Sequence, residues 1–331
     1  KINLNYNYNM VKINSENITE EIQKSRPNLK PNSIKQYETH LNKLKKLFDT
    51  DNYDFLSVTK DVMEKLDDKH YTSKRNTLNA VIILLLALDI DDKFSELIEE
   101  YQKIRDGLND KYLEDQQSGK IYDKQKDNFV EFIELKKMTA QMFREIRDKD
   151  LKKKETLKPS DKELMVVFTI FSFLSQYPLR NDLAGMKYIS KTDYNKLTDD
   201  DKKNGNFLVK QKNKLMIILN EYKTSKKYGE KIIELNWEIT KIMKFYIRVM
   251  DKEIGDVLFT NSRGNPITRN GISQLLIKTS KKYLGKSIST TMIRKIVVSD
   301  KFADIKKEQA ELADVMGHDV GTQNAVYVKE K

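Results

Sequence analysis

The stretch NGNFLVKQKNKLMIILNEYKTSKKYGEKIIELN, residues 204–236, decides the fold class. Three runs within it, Phe207–Lys210, Lys214–Lys223 and Lys231–Asn236, are short and rich in β-branched and large apolar residues. Runs of that length and content favour strands over helices. The pieces between them, QKN and TSKKYGE, are polar turns, so the runs read as an antiparallel meander of three strands.

On both sides of this meander the periodicity is helical. Leu135–Arg147 and Asp161–Gln176 precede it. Trp237–Met250 follows, then a short extended piece Asp256–Thr260 before the turn Asn261–Pro266, then helices over Asn270–Tyr283, Thr290–Lys301 and Glu308–Met316. Near the N-terminus, Ile34, Tyr37, Leu41, Leu44 and Phe48 recur at helical spacing behind Asn32 and Ser33, two possible caps. Shorter helices are expected over Val62–Leu66 and Lys93–Arg105, and a longer one over Thr72–Leu88. The polar segment Gly107–Asp127, with Gly119 inside it, reads as an interdomain linker.

The expected fold is therefore mainly α (α+β). Residues 1–118 form a helical N-terminal domain, 119–128 a linker, and 129–331 a helical domain with a small three-stranded antiparallel sheet. Two domains also suit a length of 331 residues, which exceeds the common single-domain size.

Composition narrows the function. A net charge of +11 points to a polyanionic partner, nucleic acid first and an anionic membrane surface second. A coding bias toward lysine and asparagine would raise the charge equally well. The absence of cysteine removes disulfides, thiolate metal sites and cysteine nucleophiles. His40, His70 and His318 are too few to build a histidine metal centre. The longest apolar runs, Ala80–Leu88 and Leu164–Leu174, are too short to span a bilayer. The opening KINLNYNYNMVKIN lacks the apolar core of a secretory signal, so an intracellular protein is expected. The sequence starts at Lys1 instead of Met, as a fragment or an upstream translation would.

The C-terminal half carries residues suited to phosphoryl transfer without a metal. Such chemistry depends on positioning and on charge aimed at the non-bridging oxygens, which arginine forks supply. It also needs a nucleophile and a proton donor for the leaving oxygen. YPLRNDLAGMKY (177–188) resembles the first arginine box of the tyrosine recombinases, with Arg180 as its arginine. EYKTSKK (221–227), at a strand end, resembles the family's β-hairpin lysine segment and gives Lys223. STTMIRKIVVSD (289–300) is similar to the second arginine box, with Arg294. LADVMGHDVGTQNAVYVK (312–329) resembles the closing box, with His318 after Gly317 and the nucleophile Tyr327 nine residues later.

This resemblance covers Phe129 to the end, and more loosely the N-terminal helices, which resemble the family's core-binding domain. It implies a site-specific recombinase or integrase, active as a homotetramer on two double-stranded DNA sites, with no metal, cofactor or ATP. It implies a 3′-phosphotyrosyl intermediate, in DNA integration or excision for a mobile element or virus. The protein would work wherever that DNA lies, host cytoplasm or nucleus. Two departures stand out. Thr291 occupies the usual His or Lys position and brings no charge. Leu183 stands where an acid is usual, and Asp182 is the candidate to orient Arg180 in its place.

Each residue also has an ordinary reading. Tyr327 is one of 16 tyrosines, His318 after a glycine fits a helix cap, and Lys226 and Lys227 lie beside Lys223 on the same turn. The polar start of the Thr72–Leu88 helix, Thr72, Ser73, Lys74, Arg75 and Asn76, reads equally as DNA contacts or as a solvated first turn. Two further functions share the pattern: a type IB topoisomerase, and a non-catalytic DNA-binding protein on the same fold.

Overall fold

The computed structural model describes residues 17–89, 91–119, 121 and 123–328. The N-terminal stretch 1–14 read above lies outside the described residues. The chain divides into two compact units, Lys1–Ile121 and Tyr122–Lys331.

The first unit is helical: α1 (Ile18–Ser25), α2 (Pro31–Phe48), α3 (Thr59–Lys65), α4 (Tyr71–Leu88) and α5 (Ser95–Gln117). Helix α2 starts one residue earlier than its expected caps. Lys30 takes the cap position and Pro31 the first turn, where the missing N–H of proline has no partner to lose. Helix α4 is buried on every side from Leu78 to Leu85, Asn79 excepted, and α1, α2 and α5 pack around it. Tyr101 on α5 is fully buried and donates its hydroxyl to the Leu56 carbonyl at 2.8 Å.

The linker reading fails over Gly107–Gln117, which is the second half of α5. Some of its residues, Lys111, Tyr112 and Asp115 among them, partner side chains of α4, while most of the others face solvent. Arg105 donates to Asn79 at 3.2 Å, the Arg75 guanidinium sits 4.0 Å from the Tyr112 ring centre, and Tyr71 hydrogen-bonds Asp115. Asp123–Lys126 (α6) is also helical.

The second unit places α7 (Phe132–Asp148) and α8 (Pro159–Gln176) before the sheet. Then come β1 (Lys187–Ser190), α9 (Lys191–Lys196), α10 (Asp199–Lys203), β2 (Asn206–Gln211), β3 (Lys214–Leu219), α11 (Ser225–Tyr228) and β4 (Lys231–Glu234). Helices α12 (Trp237–Val249), α13 (Arg269–Leu284) and α14 (Thr290–Val315) complete it. Helix α8 is buried from Leu164 to Leu174, and α7, α12, α13 and α14 all pack on it.

The sheet has four strands in the order β1–β2–β3–β4. The three expected strands pair antiparallel, and β1 adds a parallel edge to β2. A parallel neighbour needs a crossover connection. Here it is built from α9 and α10, capped by the side chains of Ser190 and Thr198. Strand β1 is only KYIS, too short to show alternation. Strand β3 stops at Leu219, short of Lys223. The next two amides, of Asn220 and Glu221, donate to the Asn206 side chain instead of to a neighbouring strand. Strand β4 stops at Glu234, because Asn236 caps α12 by accepting from the Ile239 amide. The two helices expected at Thr290–Lys301 and Glu308–Met316 are one helix, α14. Its residues 298–308 are all exposed, so amphipathic periodicity lapses while the helix continues.

The protein is thus mainly helical with a small four-stranded mixed sheet. Among the described residues no helix is long and apolar enough to cross a membrane.

Candidate functional site

Pro178 follows the last turn of α8, and the chain turns sharply through a 3-10 segment, Asn181–Leu183. Asn181 pins this turn. It donates to the Arg269 carbonyl and to Ser273 Oγ, both at 2.8 Å, and accepts from the Thr290 hydroxyl. The turn is thereby fixed against the first residues of α13 and α14, with Arg180 exposed on it and Asp182 buried beneath.

Arg294 lies in the second turn of α14, half-buried, and donates Nε to the Pro178 carbonyl at 3.1 Å. Burial and the nearby Arg180 both disfavour its charge, and Asp182 favours it. A guanidinium keeps its proton through shifts of this kind. Burial pushes the Asp182 carboxyl above the ordinary carboxylate range, against the pull of Arg269, Arg180 and Arg294. Two guanidiniums are therefore held near one another around a single buried carboxylate.

The sequence reading missed Arg269, at the first position of α13. Its guanidinium lies 3.4 Å from Asp182 Oδ1, donates to the Glu221 carbonyl at 3.0 Å and reaches the Glu221 carboxylate at 3.8 Å. It missed Asn206 as well, which is 5% exposed. Asn206 Nδ2 donates to the carbonyls of Asp182 and Glu221 at 3.0 and 2.9 Å. Its Oδ1 accepts from the amides of Asn220 and Glu221, each at 3.0 Å. Arg269 and Asn206 together tie the turn that carries Lys223 to the turn that carries Arg180. Lys223 itself is exposed, beside the buried Tyr222, whose hydroxyl donates to the Gly229 carbonyl at 2.8 Å. Asn206 left one signal, a polar residue opening an otherwise apolar strand. Arg269 left none, since RNG after Thr268 reads as an ordinary helix start.

His318 and Tyr327 form a second set. Gly317, two residues past the end of α14, has a φ of 72° in the left-handed region that glycine enters without strain. The amides of Gly317 and His318 return to the carbonyls of Asp314 and Ala313, which closes the helix end. The His318 ring stacks on the Tyr327 ring, centres 5.1 Å apart and planes 16° from parallel. Its Nδ1 lies 3.1 Å from the Asp319 carbonyl, an acceptor, so Nδ1 carries the proton. Nε2 is then the free nitrogen; it is buried and lacks a hydrogen-bond partner among the described residues. Tyr327 ends a π-helical segment, Gln323–Tyr327, and is 56% exposed. Among the described residues no hydrogen bond, ion pair or ring contact joins this pair to the arginines.

The remaining candidates are placed as follows. Thr291 is exposed, and its neighbour Thr290 is the one turned inward onto Asn181. Leu183 is in the core. On α4, Thr72 bonds His70, Lys74 pairs with Asp67 at 3.1 Å and Arg75 stacks on Tyr112, while Asn76 is exposed. No group of three His, Cys, Asp or Glu among the described residues is arranged to hold a metal ion. The candidate residues thus fall into two sets, guanidiniums gathered around the buried Asp182 and a stacked histidine–tyrosine pair. No protein-family model and no curated protein matches the chain.

Proposed function

We propose that this protein is a DNA strand transferase of the tyrosine-recombinase kind, working through a 3′-phosphotyrosyl intermediate. The observation that carries the reading is the cradle itself. Arg180 and Arg294 are held close despite like charge, with the buried Asp182 near both and Arg180 open to solvent. Such an arrangement is complementary to a phosphodiester, whose non-bridging oxygens gain charge in the transition state.

On this reading the Tyr327 oxygen attacks phosphorus and the bond to the 5′-oxygen breaks. Lys223 gives that oxygen its proton, leaving a 5′-hydroxyl. The Tyr327 hydroxyl proton passes to His318 Nε2, whose lone pair is free. Attack by a 5′-hydroxyl from a partner strand reverses the step, conserving the bond energy. Four copies on two DNA sites would exchange strands this way. Thr291 contributes at most one neutral hydrogen bond, and Thr72–Asn76 contribute phosphate contacts chiefly through Asn76, the one of the five that is exposed.

A binding protein without chemistry is the second reading. It is favoured by one observation, the separation of the His318–Tyr327 pair from the arginines. The test uses a pool of nicked duplexes of random sequence, which trap any covalent adduct. Adducts resistant to detergent, recovered on a common sequence, support strand transfer. Retention of DNA without any adduct supports the binder.

A further inference from the structure

A concave site that uses none of the candidate catalytic residues lies on the second unit. Helices α7 and α12 both pack on α8, leaving between them a groove of about 1370 Å³. Its floor is aromatic. Phe143 of α7 stacks on Phe168 of α8 at 5.6 Å between ring centres and meets Phe245 of α12 edge-on at 6.5 Å. Ala140, Ser172 and Ser175 lie along the floor, and their small side chains keep the channel open. Phe143 is 47% exposed and Trp237, at the rim, is 73% exposed. Large aromatic side chains left open to solvent on a concave surface mark an interaction site.

The rim is predominantly basic. Lys136, Lys152, Lys241, Lys244, Arg248 and Lys301 line it, and none of these is ion-paired with a carboxylate among the described residues. Lys241 Nζ sits 4.0 Å above the centre of the Trp237 ring, and Lys136 Nζ 4.6 Å above that of Phe132, charges held at the edge of apolar surface. The two carboxylates that line the groove are engaged: Asp150 pairs with Lys153 at 2.9 Å, and Glu238 accepts from Gln176 at 2.6 Å. The volume exceeds the roughly 300–1,000 Å³ of ordinary small-ligand pockets. An apolar floor of three rings suits side-chain anchors better than phosphates. Two helices flanking a third leave a trough that one more helix fills.

We propose that this groove is the docking site for an acidic amphipathic helix of a partner protein. Its apolar residues, at i, i+3, i+4 and i+7, lie on the Phe143–Phe168–Phe245 floor and against Trp237. Its carboxylates meet the lysine and arginine rim, which sets orientation and selects against basic partners. The proposal is independent of the strand-transfer reading.

Trp237 is the single tryptophan of the chain, so its emission reports the groove directly. The intact protein is titrated with a designed helical peptide of about five turns. That peptide carries Leu and Phe on one face and Glu on the flanks, and a twin peptide carries Lys at every Glu position. A saturable blue shift of Trp237 emission is expected with the Glu peptide, at least tenfold weaker with the Lys peptide. The shift is expected to weaken tenfold in a Lys241→Glu, Arg248→Glu variant and to vanish in Phe143→Asp. Both variants change exposed positions, and an unchanged melting temperature checks their fold. Three outcomes overturn the proposal. One is no shift, or equal binding of the two peptides. Another is a single-stranded oligonucleotide that gives the same shift and competes with the peptide. The last is a shift that grows with protein concentration alone and accompanies self-association, which would mean a second copy fills the groove.

Discussion

Asp182 is 4% exposed, and Arg180, Arg269 and Arg294 all act on its charge. Burial outweighs them, so its folded-state pKa lies above the value in the unfolded chain. The stability this group contributes is then fully present below the unfolded pKa and is lost as pH rises through the folded one. As pH rises past that point the carboxyl no longer contributes this stability. Asp182→Asn is therefore expected to leave the melting temperature at pH 7 unchanged or higher, while lowering strand cleavage as the guanidiniums lose their counter-charge. A melting temperature several degrees lower at pH 7 would show that the arginines outweigh burial. Arg269 gives a second prediction. It holds the turn of Lys223 through Glu221, so Arg269→Ala should slow cleavage of ordinary DNA at least tenfold. A substrate with a 5′-bridging sulfur, which leaves without a proton donor, should restore the rate, as it should for Lys223→Ala. Failure of the sulfur substrate to rescue either variant would remove Lys223 as the proton donor.

Among the elements, the joint between β2 and the end of β3 fixes the site. Asn206 makes four hydrogen bonds there from one buried side chain. Asn206→Ala leaves two amides and two carbonyls with fewer partners, at an expected cost of about 2–3 kcal/mol. Chemical denaturation checks this, and a change under 0.5 kcal/mol, roughly the effect of an ordinary surface substitution, would mean water replaces the side chain. This joint also explains what could be read in advance. Strands β2, β3 and β4 announce themselves as short apolar runs between polar turns, and helices α8, α12 and α13 as longer stretches rich in apolar residues. Strand β1 does not, since four residues in a parallel edge carry almost no period. The second half of α5 reads as a linker because its partners are polar groups on α4. The break expected inside α14 reflects exposure, not the end of the helix. The same division holds at the site. Arg180, Asp182 and Arg294 are legible from their boxes, and the structure brings them together. Arg269 is not, because its role comes from contacts 48 and 87 positions away, to Glu221 and Asp182.

For the whole molecule, the charge of +11 and the two units make separate predictions. DNA affinity should fall linearly with salt on logarithmic axes, with a slope near −0.9 for each phosphate neutralised. A slope near zero would remove duplex DNA as the partner. Each unit has its own buried core, one centred on α4 and the other on α8. Calorimetry should therefore resolve two unfolding transitions, and a single transition with matching calorimetric and van't Hoff enthalpies would contradict that independence.

The proposed strand transfer rests on Tyr327, exposed at the end of its π-helical segment and stacked on His318. The most direct measurement is mass spectrometry of the protein after trapping on nicked duplexes. The account predicts a nucleotide joined through its 3′-phosphate to the peptide containing Tyr327, and no adduct in Tyr327→Phe. An adduct on another residue, an adduct that persists in Tyr327→Phe, or relaxation of supercoiled DNA by a monomer without site preference would contradict it.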